Sequence, residues 1–493
     1  GGGGASDLLV KNFVLTTTIV PRDVQPAAGV VVAEPFTTDS GQFTKYTEAT
    51  AATFTVTGNG VVTNSSGAAR NDIICVGADL TMPVWASSVT IAARSGSPTT
   101  YDNIGVGIAK DANNFVLASY DRIAGALRMQ VKIGGSSNFY ASVSGSLAVG
   151  DSLGFSLIGN SVCLYKKPSG GDWQAITGYA ISTGTINFKT ASLTGWKTAL
   201  AVATHDSCVW EFDDLNGGAF GSVGMRDMTF VTEEDGTPYD DGTYLYFTAT
   251  CADWVGNWHQ GVFSLDKSTN AIAQVGNFMI DRGSAKQNDI NAHLIRYSAA
   301  SYRVTITSWG NGFSGALDLY CGTTTNDLLD GSYLLSGLSA LTIPGQAAGW
   351  ACYDPQLVKT GGVWKLAHCL SKNTSFSGSP FFPALSTSSD LSTWTTGTLD
   401  NGTRVYEGTK YVQVGADLLI TAGGYNDVRV YDEDLNFRGT LRATMFGGDL
   451  LTQPHAAIAY TGSKYLLVTF TADKPSSGAG PFAWGNVLIH EAV

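Results

Sequence analysis

Five stretches in the second half of the chain open alike, and that repetition limits the fold more than any other feature. They read Arg226-Asp227-Met228-Thr229-Phe230, Asp289-Ile290-Asn291-Ala292-His293, Tyr353-Asp354-Pro355-Gln356-Leu357, Tyr406-Glu407-Gly408-Thr409-Lys410 and Gln453-Pro454-His455-Ala456-Ala457. Each leads through polar or glycine residues into an apolar run: Thr243–Thr248, Ser301–Thr307, Val363–His368, Asp417–Thr421 and Lys464–Phe470. Later runs repeat too, at Gly261–Asp266, Ala316–Tyr320, Pro383–Leu391, Val428–Asp432 and Asn486–His490. A unit of roughly 50–65 residues made of short strands cannot bury its faces alone and must stack on its copies. Five copies predict a five-bladed β-propeller over residues 225–493.

Residues 31–218 follow a different pattern. Short β-like runs such as Thr53–Val56, Ser88–Ala93, Asn114–Ser119, Leu127–Ile133, Leu153–Ile158 and Ala199–Ala203 alternate with Gly, Ser and Asn turns. Helical periodicity is absent. Alternation over four to eight residues predicts an antiparallel jelly-roll β-sandwich. Residues 1–30 read as an arm: glycines, then the β-branched run Val14–Val20, then Pro21 and Pro26. That run has the propensity to pair as an edge strand with a partner. The fold class is therefore all-β, a sandwich followed by a propeller.

Composition narrows the function. The chain has 493 residues, 59 of them glycine, and a net charge of −12 without a basic run. Nucleic acid and anionic membrane surfaces are poor partners for such a surface, whereas neutral sugars are not repelled. No apolar run is long enough for a membrane-spanning helix. The numbered chain carries no basic and apolar leader at its start, so a signal was removed or the protein reaches its site without secretion. Seven cysteines without a CxxC pair fit buried thiols, with one or two disulfides left open. No nucleophile elbow, zinc motif or phosphate loop stands in a fitting context.

First strands of propeller blades line one axis, so the residues that open them converge although they are far apart in sequence. Asp227, Asp354 and Glu407 open blades one, three and four. An acidic residue at a strand start also caps turns and accepts backbone N–H groups. Three together match the needs of glycoside hydrolysis: an acid for the leaving oxygen, a carboxylate across the ring, and a third that keeps the acid protonated. Glu407 is the expected acid, Asp227 the base and Asp354 the modulator. Arg226, His293, Trp309, Tyr353, Tyr425 and Trp484 are the expected substrate-binding residues. Guanidinium groups hold hydroxyls or carboxylates, and aromatic rings stack on the C–H faces of sugars.

These motifs resemble glycoside hydrolase family 43 and its five-bladed relatives. Arg226-Asp227, with Asp241-Gly242-Thr243-Tyr244-Leu245-Tyr246-Phe247 behind it, matches that family's blade-one motif. Asp354-Pro355 matches blade three, Glu407-Gly408 blade four, and His455 the axial histidine of blade five. Met228 and Thr409 stand where the family has proline, blade two offers Asn291-Ala292-His293, and blade one carries an acidic insertion, Glu233 to Asp241. The resemblance implies an arabinan-like, furanose-containing polysaccharide as substrate. It implies no required cofactor, with a structural Ca2+ or a water on the axis and His455 as its ligand. In the first half, Glu34-Pro35-Phe36-Thr37 and Val209–Leu215 resemble the ends of concanavalin-like (laminin-G-type) jelly rolls. The whole chain also resembles phage minor tail proteins. That implies an extracellular or virion location, with other tail proteins or a homotrimer as partners, and glycan binding without cleavage as the alternative function.

Overall fold

The structure is a computed structural model. It describes residues 5–492 except 20–22, 27–31, 35, 37–41, 48–51, 57, 59, 65–69, 205–207, 310–316, 372–380, 400–405, 425–426, 444–454 and 472–484. The chain divides into two compact units. One comprises Arg22–Val223 with Asp253–Asn257; the other comprises Gly1–Pro21, Gly224–Ala252 and Trp258–Val493.

The first unit is a β-sandwich of a seven-stranded and an eight-stranded sheet. Alternating residues of both sheets fill one core that includes Val89, Ile91, Val106, Val116, Phe155, Leu164, Leu200 and Phe212. The core also takes Trp210, whose indole N–H donates to Asp102 Oδ1 at 2.7 Å. A buried indole needs such a partner, because an unmade hydrogen bond there costs about 1–3 kcal/mol. All seven cysteines of the chain are buried thiols.

The second unit is the propeller. Its first four sheets begin with the strands Gly224–Phe230, Ile290–Ser298, Ala351–Thr360 and Glu407–Val414, each followed antiparallel by the next strands in sequence. Each first strand packs against the first strand of the next sheet. The fifth, Ala457–Tyr460, packs against both the fourth and the first, which closes the ring. Five apolar cores fill the five seams. Phe278 and Ile280 meet Leu294 and Val304; Ile295 and Cys321 meet Leu357 and Leu366. Val358 and Leu385 meet Tyr411 and Ile420; Val412 and Val430 meet Ile458 and Leu467; Leu466 and Ile489 meet Met225 and Phe247. A blade is covered on both faces, so its strands read as continuous apolar runs: Tyr465–Phe470 is buried at every position.

The arm differs from expectation. Asn12–Ile19 is not left to pair with a partner chain. It lies antiparallel on Val487–Ala492, with Val14 opposite Glu491 and Ile19 opposite Val487, as the fourth strand of blade five, and the two-residue strand Arg442–Ala443 pairs parallel on its far side. Phe13 and Leu8 enter the core between blades four and five. The chain's C-terminal strands leave that blade one strand short, and pairing with the first strand of the chain satisfies the open edge. The arm expected over 1–30 is thereby split, since Asp23–Pro26 pairs with Phe220–Ser222 in the sandwich unit.

The acidic insertion of blade one also has a place. Thr232 N–H donates to Leu294 O at 3.0 Å, and Lys359 N–H donates to Glu234 O at 2.6 Å. Gly236 sits so close to blade three that a Cβ there would lie 2.9 Å from Val358 Cγ1. The insertion thus reaches from blade one to blades two and three at the end of the axis opposite the strand starts. A cavity of ≈ 970 Å³ lies at that far end, lined by Asp235, Lys359, Gln413, Asp417 and Arg438 among others. It includes none of the residues that open the blades.

Candidate active site

The same irregularity opens the first four blades. Pairing with the second strand slips between Arg226 and Thr229, Ile290 and His293, Tyr353 and Gln356, and Glu407 and Lys410. Within each slip one residue has a left-handed backbone: Asp227 (φ 58°), Asn291 (φ 48°), Asp354 (φ 57°) and Gly408 (φ 64°). Asp, Asn and Gly are the residues that tolerate this conformation. The bulge re-aims the side chain, and here it does so once per blade.

The re-aimed groups meet. Asn291 Nδ2 donates to Asp354 Oδ1 at 2.6 Å, and Gly408 N–H donates to Asp354 Oδ2 at 2.9 Å. His455 supplies the fifth position. Its Nδ1 is 3.3 Å from Asp227 Oδ1 and its Nε2 is 3.4 Å from Asp354 Oδ2. Asn291 Nδ2 lies 3.3 Å from the same Nδ1. The backbone under the cluster is tied down as well: Asn291 N–H donates to Thr250 Oγ1 and Asp354 N–H to Thr307 Oγ1, both at 3.0 Å.

Glu407 does not share the position of the two aspartates. It precedes the left-handed residue, as Arg226 and Tyr353 do in their blades, and Gly408 stands where the aspartates stand. Glu407 keeps part of its surface exposed, whereas Asp354 is buried. Burial is the main reason its carboxyl is pushed well above the usual range; Asp354 and Asp227 push the same way, and Arg226 opposes them. Burial also pulls the His455 imidazole down, against the pull of the two aspartates. Tyr353 is raised by burial first and by Glu407 next. The Glu407 carboxyl is thereby made a weaker acid than usual, near two further carboxyl groups.

The other expected residues divide. Arg226 lies over the Phe470 ring at 5.2 Å and acts electrostatically on Glu407. Tyr353 is buried and packs edge-on against Phe381 at 5.9 Å. Trp309 is half-buried, 6.1 Å from Trp258, and packs on the cluster that contains Tyr353 and Cys369. Tyr425 and Trp484 lie outside the described residues. His293 is no open sugar contact. Its Nδ1 accepts Leu357 N–H at 3.2 Å and its Nε2 meets Thr232 Oγ1 at 3.0 Å, so the ring links blades one, two and three. Gln356 does the equivalent job one blade on, accepting Tyr411 N–H at 2.9 Å. Asp289 binds Arg282 and accepts Trp309 N–H at 3.0 Å, which builds the rim.

Both nitrogens of His455 face protein groups, and the ammonium of Lys410 sits 2.9 Å from Asn291 Oδ1. Among the described residues no group of three or more His, Cys, Asp or Glu side chains is arranged to hold an ion. Sequence reasoning passed over Asn291 and Lys410. The signal for Asn291 was present, since it occupies the place of Asp227 and Asp354 once the bulges are aligned. Lys410 had none, because a lysine near a strand start ordinarily faces water.

No family model matches the chain. No curated protein sequence matches it. Among solved structures, it is similar to an α-L-arabinofuranosidase from Fusarium graminearum (11% identity, 70% of this chain and 89% of that one, TM-score 0.34). It is also similar to a levansucrase variant from Bacillus subtilis (9% identity, 55% and 86%, TM-score 0.38). A carbohydrate-binding module from Bacillus subtilis is similar to a smaller part (13% identity, 36% and 96%, TM-score 0.26).

Proposed function

We propose that the propeller is a glycoside hydrolase acting on a furanose-containing, arabinan-like polysaccharide. The observation that carries this reading is the convergence of Asp227, Asp354 and Glu407 from three blades onto one axis. There Glu407 is both partly exposed and held protonated by burial and by its two neighbours.

In this reading Glu407 gives its proton to the glycosidic oxygen as the bond to the anomeric carbon breaks. A water oxygen forms the new bond to that carbon and passes its proton to Asp227. Asp354, fixed by Asn291 and Gly408, keeps Glu407 protonated between turnovers. Inversion follows where acid and base stand far enough apart to admit the water. Arg226 balances the charge left on Glu407 after transfer. Trp309 and Trp258 at the rim offer aromatic faces to neighbouring sugars. The arabinan preference rests on the resemblance of the blade motifs alone.

The test is incubation with arabinan, mycobacterial arabinogalactan and xylan, beside Glu407→Gln, followed by analysis of released sugars. Release by the wild type only establishes the hydrolase and identifies the polymer. Binding without release, retained in the variant, leaves a glycan-binding role such as receptor recognition by a virion.

A further inference from the structure

Lys410 lies two residues beyond Gly408, and only 1% of its surface is exposed. Its Nζ donates to Asn291 Oδ1 at 2.9 Å, and Thr229 Oγ1 donates to the same oxygen at 3.4 Å. The Thr229 hydroxyl has one proton and also reaches Asp227 O at 3.5 Å, so Lys410 is the short donor to that carbonyl. Turning the amide over would set its N–H groups against an ammonium and its oxygen against a carboxylate. Lys410 therefore decides which way Asn291 faces, and so directs Nδ2 to Asp354 Oδ1 at 2.6 Å. An ammonium in a dry interior is costly unless opposite charge surrounds it. Asp354 and Asp227 supply that charge, opposing the burial that pulls the lysine down.

We propose that Lys410 is a positioning residue for the axial carboxylates: it holds Asp354 through the Asn291 amide and serves as the internal cation of the aspartate pair. The proposal rests on the hydrolase reading only for its effect on turnover. The groups that face Lys410 are Asp227 from blade one, Asn291 and His293 from blade two, Asp354 and Cys369 from blade three, and His455 from blade five. Without the Lys410 ammonium the Asn291 carbonyl loses its short donor, so Nδ2 is no longer directed to Asp354 Oδ1 and the carboxylate that Gly408 N–H also binds is free to turn.

The experiment compares wild type, Lys410→Met, Asn291→Gly and the double variant. Glycine at 291 keeps the left-handed backbone without strain. Two readouts are taken: turnover on the polymer the wild type cleaves, and the 1H–15N NMR shift of the Gly408 amide, which reports its hydrogen bond to Asp354, without substrate. Lys410→Met is expected to lower kcat by about ten- to a hundred-fold, the range of a charge-assisted hydrogen bond, with KM within about two-fold. The Gly408 amide resonance moves with it, and the double variant is no worse than Lys410→Met alone. A lowered Tm with unchanged kcat and Gly408 resonance overturns the proposal and makes the lysine a packing residue. If wild type releases no sugar, the hydrolase reading fails, and the Gly408 resonance alone decides the proposal: an unmoved resonance sinks it. If Lys410→Met does not fold, Asn291→Gly decides, since its Gly408 resonance must move.

Discussion

Gly408 and His455 approach so closely across the axis that a Cβ on Gly408 would lie 2.2 Å from His455 Cδ2. The glycine is needed twice, for this approach and for its φ of 64°. Its N–H also donates to Asp354, so a small shift of this one residue would disturb both His455 and Asp354. Gly408→Ala is expected to destabilise the protein by about 2–5 kcal/mol, the sum of left-handed strain and overpacking. It should also reduce turnover by at least about ten-fold, since a shift of that size misplaces the acid. Urea midpoints and kcat of the folded variant check this; wild-type values for both would mean that the ring of His455 is not held where it stands.

Glu407 gives a pH dependence whose sign is fixed by its surroundings. Its folded pKa lies above the ordinary value of 4.5, chiefly through burial. The folded chain binds that proton more tightly than the unfolded chain does. The stabilisation is complete below 4.5 and is lost as pH rises through the folded value. Glutamine has no proton to lose, so Glu407→Gln should unfold at a higher temperature than wild type in alkaline buffer. The gap should close in acid. Tm measured from pH 4 to 9 reads this directly, and parallel curves would refute it.

His293 acts in the opposite sense. Burial holds its imidazole near about 3, against an ordinary 6.5, and holds that of His368 near about 4. The unfolded chain takes up these protons as pH falls below 6.5, and the folded chain refuses them until near those lower values. Stability should therefore fall by about 1.4 kcal/mol per pH unit per group within the window. Gln356 already performs the same inter-blade acceptor role one blade on. His293→Gln is thus expected to fold at neutral pH and to lose stability less steeply below 6.5. Urea unfolding at pH 7, 6, 5 and 4 provides the slopes.

The five blades were legible because each is covered on both faces, so its strands leave apolar runs at a regular interval. The converging residues Asp227, Asp354, Glu407 and His455 were legible for the same reason, since blade starts share an axis. The one-residue offset of Glu407 was hidden. A bulge shifts register without changing hydrophobicity, and only the Gly after Glu407, beside Asp227, Asn291 and Asp354, marks the left-handed position. His293 looked like an open ligand because sequence does not reveal that a neighbouring blade's N–H reaches its ring. The role of Asn12–Ile19 depends on a partner more than 450 residues away, and no local pattern encodes that pairing.

That remote pairing leads to a prediction about the first strand. Leu8 and Phe13 are fully buried in the core between blades four and five, and each stabilises the fold by about 1.5–3 kcal/mol. Thr16 Oγ1 adds a hydrogen bond to Ile489 O at 3.1 Å. Removing residues 1–21 strips these contacts and uncovers the N–H and C=O groups of Val487–Ala492. An uncovered, apolar edge pairs with the next chain available. The truncated protein should show a markedly lower urea midpoint and should self-associate in size-exclusion chromatography. Adding back a peptide of residues 5–19 should restore the monomer, because it offers the missing strand without the covalent link. A truncated protein that stays monomeric and as stable as the full chain would mean that Asn12–Ile19 is not the strand that completes blade five.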